Sequence, residues 1–204
     1  MKKLDIQDPL KSYSDLEVPI FSKNQIDAHL VHHKKYYDNL CIILDQQKFN
    51  NWNIEELLKY TSGSTYNTVA QYWYHNLFWD NLVRTGEENS LMTRDLLDLV
   101  NKNYTSVENL KSSFVTAAVN HFGSGWISLN LKKDSNTCNN SLVLKTYRDA
   151  ETSSDQDLSR PLLVIDLWEH SYYLDFKYDK KQYLEKIWDC VNWSVVGARL
   201  IRAI

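Results

Sequence analysis

The sequence predicts an α+β protein: an N-terminal antiparallel helical hairpin followed by a mixed domain with a three-stranded antiparallel sheet flanked by helices. In the first half of the chain, apolar residues recur at helical steps of three and four. Three short apolar or alternating runs, typical of strands, follow only in the second half. We therefore expect an arm and hairpin domain over 1–87 and an α/β domain over 88–204.

The N-terminal half contains the two long helices of the predicted hairpin. Residues 1–21 show no hydrophobic period, so we expect an extended arm there. Ser22 is the expected N-cap of a first long helix that reaches Leu44. A short helix is expected over 54–60, and a second long helix over 65–83 that stops near a glycine.

The C-terminal half alternates between the two kinds of element. Two helical patterns are followed by three strand patterns and a final helical pattern, and the expected ranges are 91–102, 107–122, 126–131, 141–146, 162–167 and 180–204. Helices would then flank a small sheet.

The composition excludes several classes of protein. Lys plus Arg (23) are fewer than Asp plus Glu (26), so no basic excess recruits nucleic acid. The three cysteines are odd in number and widely spaced, which argues against a disulfide framework or a zinc knuckle. No apolar run approaches the roughly 20 residues that span a bilayer. We expect no membrane partner and no targeting segment, and a location in the cytoplasm or the mitochondrial matrix.

Histidines and aromatic residues cluster at three places in the chain. In the first cluster, His29 and His32 are three residues apart on one helix face, and Tyr36 continues that face one turn later. Such a row of imidazoles and a phenol can bind a metal or relay protons. A solvated helix flank would show the same pattern, and these residues alone do not decide between the two.

The second cluster spaces Gln71, His75 and Trp79 four residues apart, so the three side chains form one stripe of a helix. An apolar stripe would not need the amide, which favours a site. The simpler alternative is a core histidine bonded to one backbone carbonyl.

The third cluster places Asp166 near the end of an apolar strand, where an unpaired charge would cost several kcal/mol. The carboxylate therefore needs a cation. His170 follows just beyond the strand, and His29 and His75 lie on the two long helices. Three imidazoles and one carboxylate suit iron or manganese, whereas a zinc site rich in cysteine is disfavoured.

Five segments in register resemble the iron/manganese superoxide dismutases. The most specific is the D-x-W-E-H-x-Y-Y string within the fourth segment. The segments are HLVHHKKYYDNL (29–40), NTVAQYWYHNLFW (67–79), FGSGW (122–126), DLWEHSYYLDF (166–176) and VNW (191–193). The resemblance covers nearly the whole chain, and the fold that it implies is the one that the periodicity predicts.

The resemblance implies a role for each matching residue. The implied metal ligands are His29, His75, Asp166 and His170. The implied catalytic residues are Tyr36, His32 and Gln71, and the implied wall around the ligands consists of Trp79, Trp126 and Trp168. The family also implies a homodimer in which Glu169 meets the partner's His170, with Tyr173 directed towards the partner as well.

The implied activity is the conversion of superoxide to dioxygen and hydrogen peroxide by alternate reduction and oxidation of a single metal ion. Iron-type members place a glutamine at the position of Gln71, and Ala150 occupies the sheet position that supplies the amide in manganese-type members. We therefore expect one iron ion per chain rather than manganese.

The sequence also departs from the family pattern. Tyr74, Ser128, Tyr178 and Lys180 replace an asparagine, a tryptophan, an asparagine and an arginine of that pattern. In addition, the step from His29 to His32 is three residues where the family has four. A one-residue deletion rotates the preceding helix by about 100°, so the ligand position could fall on Ala28 and leave His29 pointing aside.

These departures keep a second function open. A superoxide-dismutase-like chain that has lost or weakened catalysis could serve as a structural subunit of a larger assembly such as a mitochondrial ribosome. The survival of all four ligand types favours the enzyme, since a scaffold has no use for them. A metal-dependent hydrolase ranks below both, because no unassigned carboxylate is placed to act as a general base.

Overall fold

The computed structural model describes residues 4, 6–46, 49, 52–88, 91–133, 140–152 and 159–203. Within these ranges the chain forms α-helices, one three-stranded sheet and a short 3₁₀ helix over Glu169–Ser171. The helices are α1 (Pro9–Ser12), α2 (Lys23–Leu44), α3 (Ile54–Tyr60), α4 (Gly63–Asp80), α5 (Arg94–Tyr104), α6 (Val107–Asn120), α7 (Tyr173–Phe176), α8 (Lys180–Trp188) and α9 (Trp193–Ala203). The strands are β1 (Gly125–Lys133), β2 (Asn140–Arg148) and β3 (Ser159–Asp166).

The N-terminal helical hairpin is formed by α2 and α4, which pack along each other. The predicted N-cap of α2 is confirmed, because the Ser22 side chain accepts a hydrogen bond from the backbone of Gln25. A small apolar cluster that includes Leu40, Leu57 and Val69 joins α3 to the two long helices. The hairpin thus holds α2 and α4 in a fixed register, and each carries one histidine of the predicted ligand set.

The three-stranded antiparallel sheet is confirmed, with strand order β2-β1-β3. The central strand β1 is buried from Gly125 to Leu131, as expected for a strand covered on both faces. The pairing of β1 with β3 shifts register between Leu129 and Asn130, where the partner is Pro161, a residue without an N–H to donate. The sheet ends at Asp166, which pairs with Trp126.

Two helices are shorter in the structure than the sequence predicts, and one contact between their ends explains both differences. The expected helix over 65–83 ends at Asp80, and the expected helix over 180–204 breaks into α8 and α9; residue 204 lies outside the described ranges. The two interruptions face each other and exchange backbone hydrogen bonds, from Val83 to the Cys190 carbonyl at 2.8 Å and from Asn192 to the Asn81 carbonyl at 2.6 Å. Tertiary pairing therefore ends both helices.

The expected extended arm over 1–21 contains a helical turn instead. Asp8 caps α1 by accepting a hydrogen bond from Leu10 N, and Pro9 occupies the first helical position, where its missing N–H costs nothing. The hydroxyl of Tyr13 donates to Asp80 Oδ1 at 3.0 Å and ties the arm to the end of α4. No helix in the described part of the chain is long and apolar enough to cross a membrane.

Arg199 links the last helix to the hairpin and to the sheet from a largely buried position. Its guanidinium donates to the Asn81 side chain and to the Leu162 carbonyl at 3.1 Å, and it lies 3.7 Å from Asp80. Asn81 in turn donates to the Val164 carbonyl of β3 at 2.7 Å. These bonds fix the end of α4 against β3, the strand that carries Asp166.

We predict that Arg199→Ala lowers the free energy of unfolding by roughly 2–3 kcal/mol, because it leaves buried acceptors without a donor. Arg202, exposed on the same helix, is the matched control, and Arg202→Ala should change stability by less than about 0.5 kcal/mol. Urea titration of both variants measures the difference. Equal losses in the two variants would contradict the role given to Arg199.

Candidate metal centre

Four side chains from four different elements converge on one point. His29 comes from α2, His75 from α4, Asp166 from the end of β3 and His170 from the 3₁₀ helix. The Oδ2 atom of Asp166 lies 3.2 Å from Nε2 of His29, 3.4 Å from Nε2 of His170 and 3.8 Å from Nε2 of His75. All four candidate ligand atoms lie within 4.8 Å of one another.

The donor atoms of this group fit a metal ion. Three of the four residues are buried, and the His170 side chain is 25% exposed. The three Nε2 atoms and Asp166 Oδ2 have no hydrogen-bond partner among the described residues. Buried polar atoms without partners are costly, and a set of imidazole nitrogens with a carboxylate oxygen is a ligand set that iron and manganese accept.

Hydrogen bonds behind the ligands orient them towards the common point. The Nδ1 atom of His75 lies 2.6 Å from the Gln71 carbonyl, which leaves Nε2 to face the centre. Oδ1 of Asp166 accepts a hydrogen bond from Trp168 N at 2.8 Å, so that Oδ2 faces the imidazoles. Such partners fix the tautomer and the orientation of metal ligands.

The electrostatics favour the protonation states that ligation requires. Burial lowers the pKa of His29 and, more strongly, that of His75, so both imidazoles are neutral near pH 7. Burial alone would raise the pKa of Asp166, but the neighbouring His170 and His29 outweigh it and lower the pKa of that carboxyl. Neutral imidazoles and an ionised carboxylate bind a metal without first losing protons.

The alternative in which the ligand position falls on Ala28 was wrong, because His29 points into the centre. Its side chain is 1% exposed, whereas Ala28 is exposed to solvent. The helix is continuous over Lys23–Leu44. Positions three and four residues apart share one face of a helix, and the three-residue step therefore keeps His29 and His32 on the same side of α2.

His32 and Tyr36 lie beside the ligands on the half-buried side of α2. The His32 ring centroid is 4.0 Å from that of His170 and 5.1 Å from that of Tyr36. The Tyr36 ring lies 5.6 Å from His75. Burial lowers the pKa of His32 to about 4 and raises that of Tyr36. Both residues border the centre without belonging to the group of four.

Gln71 is buried one turn before His75. Its amide nitrogen donates to the Asp149 carbonyl at 3.3 Å, and its Oε1 has no partner among the described residues. Asp149 adopts a left-handed backbone conformation, with φ of 52°, at the turn that brings the end of β2 against α4. The Gln71 amide is thus anchored on one side and still has one N–H to offer.

Three tryptophans surround the imidazoles. Trp79 lies 4.6 Å from His29, Trp126 lies 5.0 Å from His75, and Trp168 lies 5.7 Å from His170, each measured between ring centroids. Their indole nitrogens are buried and have no partner in the described ranges. The large rings of this wall keep the local dielectric low, and their N–H groups remain available as donors towards the centre.

The two residues predicted at a dimer interface lie at the surface of the single chain. Glu169 is exposed, and Tyr173 is 44% exposed. An open cleft of about 480 Å³ adjoins Glu169 and reaches from Phe122 to His170. Among the described residues, none buries these two side chains.

Sequence reasoning assigned no role at the site to two buried polar residues on α2. His33 is fully buried, and its ring stacks on His75 at 5.1 Å between centroids. Gln25 is also buried and donates to the His170 carbonyl. Gln25, His29 and His33 are spaced four residues apart, a polar stripe within an otherwise apolar helix face, and this spacing was the available signal.

The fold and this centre define a protein with a candidate metal site of three histidines and one aspartate, and comparison with known proteins identifies its family. Residues 9–83 match the alpha-hairpin domain of the iron/manganese superoxide dismutases, and residues 92–199 match their C-terminal domain. The chain belongs to the iron/manganese superoxide dismutase family.

Curated relatives agree with this assignment. The chain is 33% identical over 187 residues to a protein of Bordetella pertussis named superoxide dismutase (Fe), covering 91% of this chain and 93% of the relative. It is 32% identical over 188 residues to one of the same name from Salmonella typhimurium, covering 91% and 93%. A third, from Plasmodium falciparum, is 29% identical over 189 residues, covering 91% of each chain. None of these names supports the ribosomal or the hydrolase alternative.

We predict that His29→Ala abolishes stoichiometric metal binding, whereas His32→Ala, three residues later on the same helix face, retains it. The first change removes one of four convergent donors, and the second removes a neighbour that is not among them. Elemental analysis of the purified proteins measures metal per chain. Loss of metal in His32→Ala together with retention in His29→Ala would show that His32 is the ligand and that our assignment of His29 is wrong.

Proposed function

We propose that the protein is a superoxide dismutase with one iron ion per chain, held by His29, His75, Asp166 and His170. The convergence of four buried donor atoms on one point supports this most directly. When bound, iron supplies a one-electron couple: two superoxide ions and two protons give one dioxygen and one hydrogen peroxide. The remaining work of binding, orientation and proton supply falls to the chain's own residues.

His32 and Tyr36 are placed to control access and to deliver protons. Both are half-buried, the His32 ring lies 4.0 Å from that of His170, and the His32 and Tyr36 rings lie 5.1 Å apart, each measured between centroids. A phenol and an imidazole in contact can pass a proton to a substrate that sits beside them. The walls formed by the tryptophans exclude bulk water, so protons must arrive by such a defined path.

Lys180 is placed to attract the anionic substrate. It lines the open cleft that adjoins His170 and Trp168, and its ammonium group donates to the His121 carbonyl at 3.1 Å. Cationic groups at the mouth of a cleft raise the encounter rate of a small anion even when the net charge of the protein is negative.

The position of Gln71 favours iron over manganese. In the family resemblance a glutamine on the second long helix marks the iron type, and the relatives described above carry iron in their names. The residue that follows its anchor, Ala150, is buried and carries no amide in its side chain. Gln71 is therefore the amide that this chain can offer to a molecule beside the metal.

We predict that Gln71→Ala retains iron but lowers dismutation activity by about 10- to 100-fold and shifts the reduction potential, because it removes a polar neighbour of the centre without removing a ligand. Asn67→Ala, one turn earlier on an exposed position of α4, is the control and should be neutral. Iron content, activity and potential are measured on the same samples. Unchanged activity at full iron loading would assign the role to another residue.

We also propose that the protein works as a symmetric homodimer. Phe122 and Tyr178 are 87% and 90% exposed, and Tyr173 and Leu174 are 44% and 49% exposed. A partner subunit that covered these side chains would remove large apolar groups from water. Across a two-fold axis, Glu169 would accept a hydrogen bond from His170 of the other subunit, and the contact would occur twice.

For this dimer we expect Glu169→Ala to weaken association and to lower metal retention together, since each His170 loses the carboxylate that orients it. Glu185→Ala, on the exposed face of α8, should change neither. Sedimentation equilibrium over the micromolar range and metal analysis provide the two readouts. A native protein that is monomeric and fully active at micromolar concentration would contradict the dimer.

A further inference from the structure

Gln25 is a buried amide that contacts the segment of His170 from the opposite domain. It lies one turn before His29 on α2 and is 1% exposed. Its Nε2 donates to the His170 carbonyl at 2.7 Å, and its Oε1 accepts a hydrogen bond from Leu174 N at 3.0 Å. The Gln25 side chain thus binds the main chain at two positions four residues apart, His170 and Leu174.

A second bond at the same end of α2 strengthens this attachment. The backbone N–H of Ser22, the N-cap of the helix, donates to Asp175 Oδ2 at 2.7 Å. The first turn of α2 is therefore bonded to α7 and to the 3₁₀ helix at three points. A carboxylate at this position also complements the positive end of the helix dipole.

The segment clamped in this way shows backbone strain at its far end. Lys177, directly after α7, has φ of 54° and ψ of -129°, a conformation that residues with a side chain rarely adopt. Such a conformation persists only where surrounding contacts determine it. The contacts from α2 are among those that hold this segment in place.

We propose that Gln25 is a positioning residue of the metal centre, which fixes the separation between His29 and His170. This inference rests on the metal site proposed above. His29 and His75 belong to the part that matches the family's hairpin domain, whereas Asp166 and His170 belong to the part that matches its C-terminal domain. The Gln25 amide joins these two halves one helical turn from His29.

The chemistry of the contact requires an amide. The His170 carbonyl needs a donor, and the Leu174 N–H needs an acceptor, and glutamine supplies both from one planar group. A glutamate keeps the acceptor but opposes the His170 carbonyl with a second oxygen. A methionine of similar length keeps neither, and it leaves both main-chain groups without the Gln25 bond in a partly buried position.

The test compares metal affinity in Gln25→Met, Gln25→Glu and the wild-type protein. Ferrous iron is titrated without oxygen against a competing chelator, and the visible absorption of the ferric protein reports the geometry around the ion. Both variants should bind iron about 10- to 100-fold more weakly than wild type, in the range found for groups that orient metal ligands, with an altered ferric spectrum. Leu110→Ala, in the buried core of the C-terminal domain, serves as a control for stability loss alone and should stay within about twofold.

Affinity within twofold of wild type in Gln25→Met, or a loss no greater than in an equally destabilised Leu110→Ala protein, would overturn the inference. If Gln25→Met does not fold, Gln25→Glu, which keeps the bond from Leu174, decides by the same criterion. Failure of the wild-type protein itself to bind iron would instead contradict the proposed function, so the two failures are distinct.

Discussion

A buried carboxylate is the constraint on which the rest of the structure depends. Asp166 lies at the end of β3 with no exposed surface, where an unpaired charge would be prohibitively costly. The Trp168 N–H bonds one of its oxygens, and the imidazoles of His29, His75 and His170 face the other, so that a cation bound among them would balance the charge. The fold must therefore bring α2, α4 and the 3₁₀ helix to the same point, and the Arg199 and Gln25 contacts hold them there.

The aromatic side chains around this polar centre make it rigid and strengthen the electrostatic interactions within it. Tryptophan rings next to the imidazoles exclude water, so electrostatic interactions inside the wall are stronger than they would be in solvent. Two family departures are absorbed by the same packing. Tyr74 stacks on Trp126 at 4.9 Å between centroids, and Ser128 donates to the Asn130 side chain at 2.9 Å. Both residues are buried, and all three tryptophans of the wall are present.

The centre lies between the two parts that match separate domains of the family, and each part supplies two of the four candidate ligands. Metal affinity then reports on how well the two parts are docked, as well as on the ligands themselves. Hydrogen bonds that cross this boundary, such as those of Gln25 and Ser22, consequently bear on function although they lie outside the ligand group.

The sequence by itself determined the fold class, the hairpin and the three strands, because these depend on local periodicity. It also indicated His75, Asp166 and His170 as candidate ligands, since polar groups are scarce in apolar elements, and it left the fourth position open between His29 and Ala28. It did not determine where α4 and the last helix end, since those ends are set by the pairing of residues 82–83 with 190–191. Only the tertiary structure decided that His29 rather than Ala28 faces the centre. It alone also showed that Gln25 and His33 are buried beside the ligands, because helix rotation and docking follow from contacts distant in sequence.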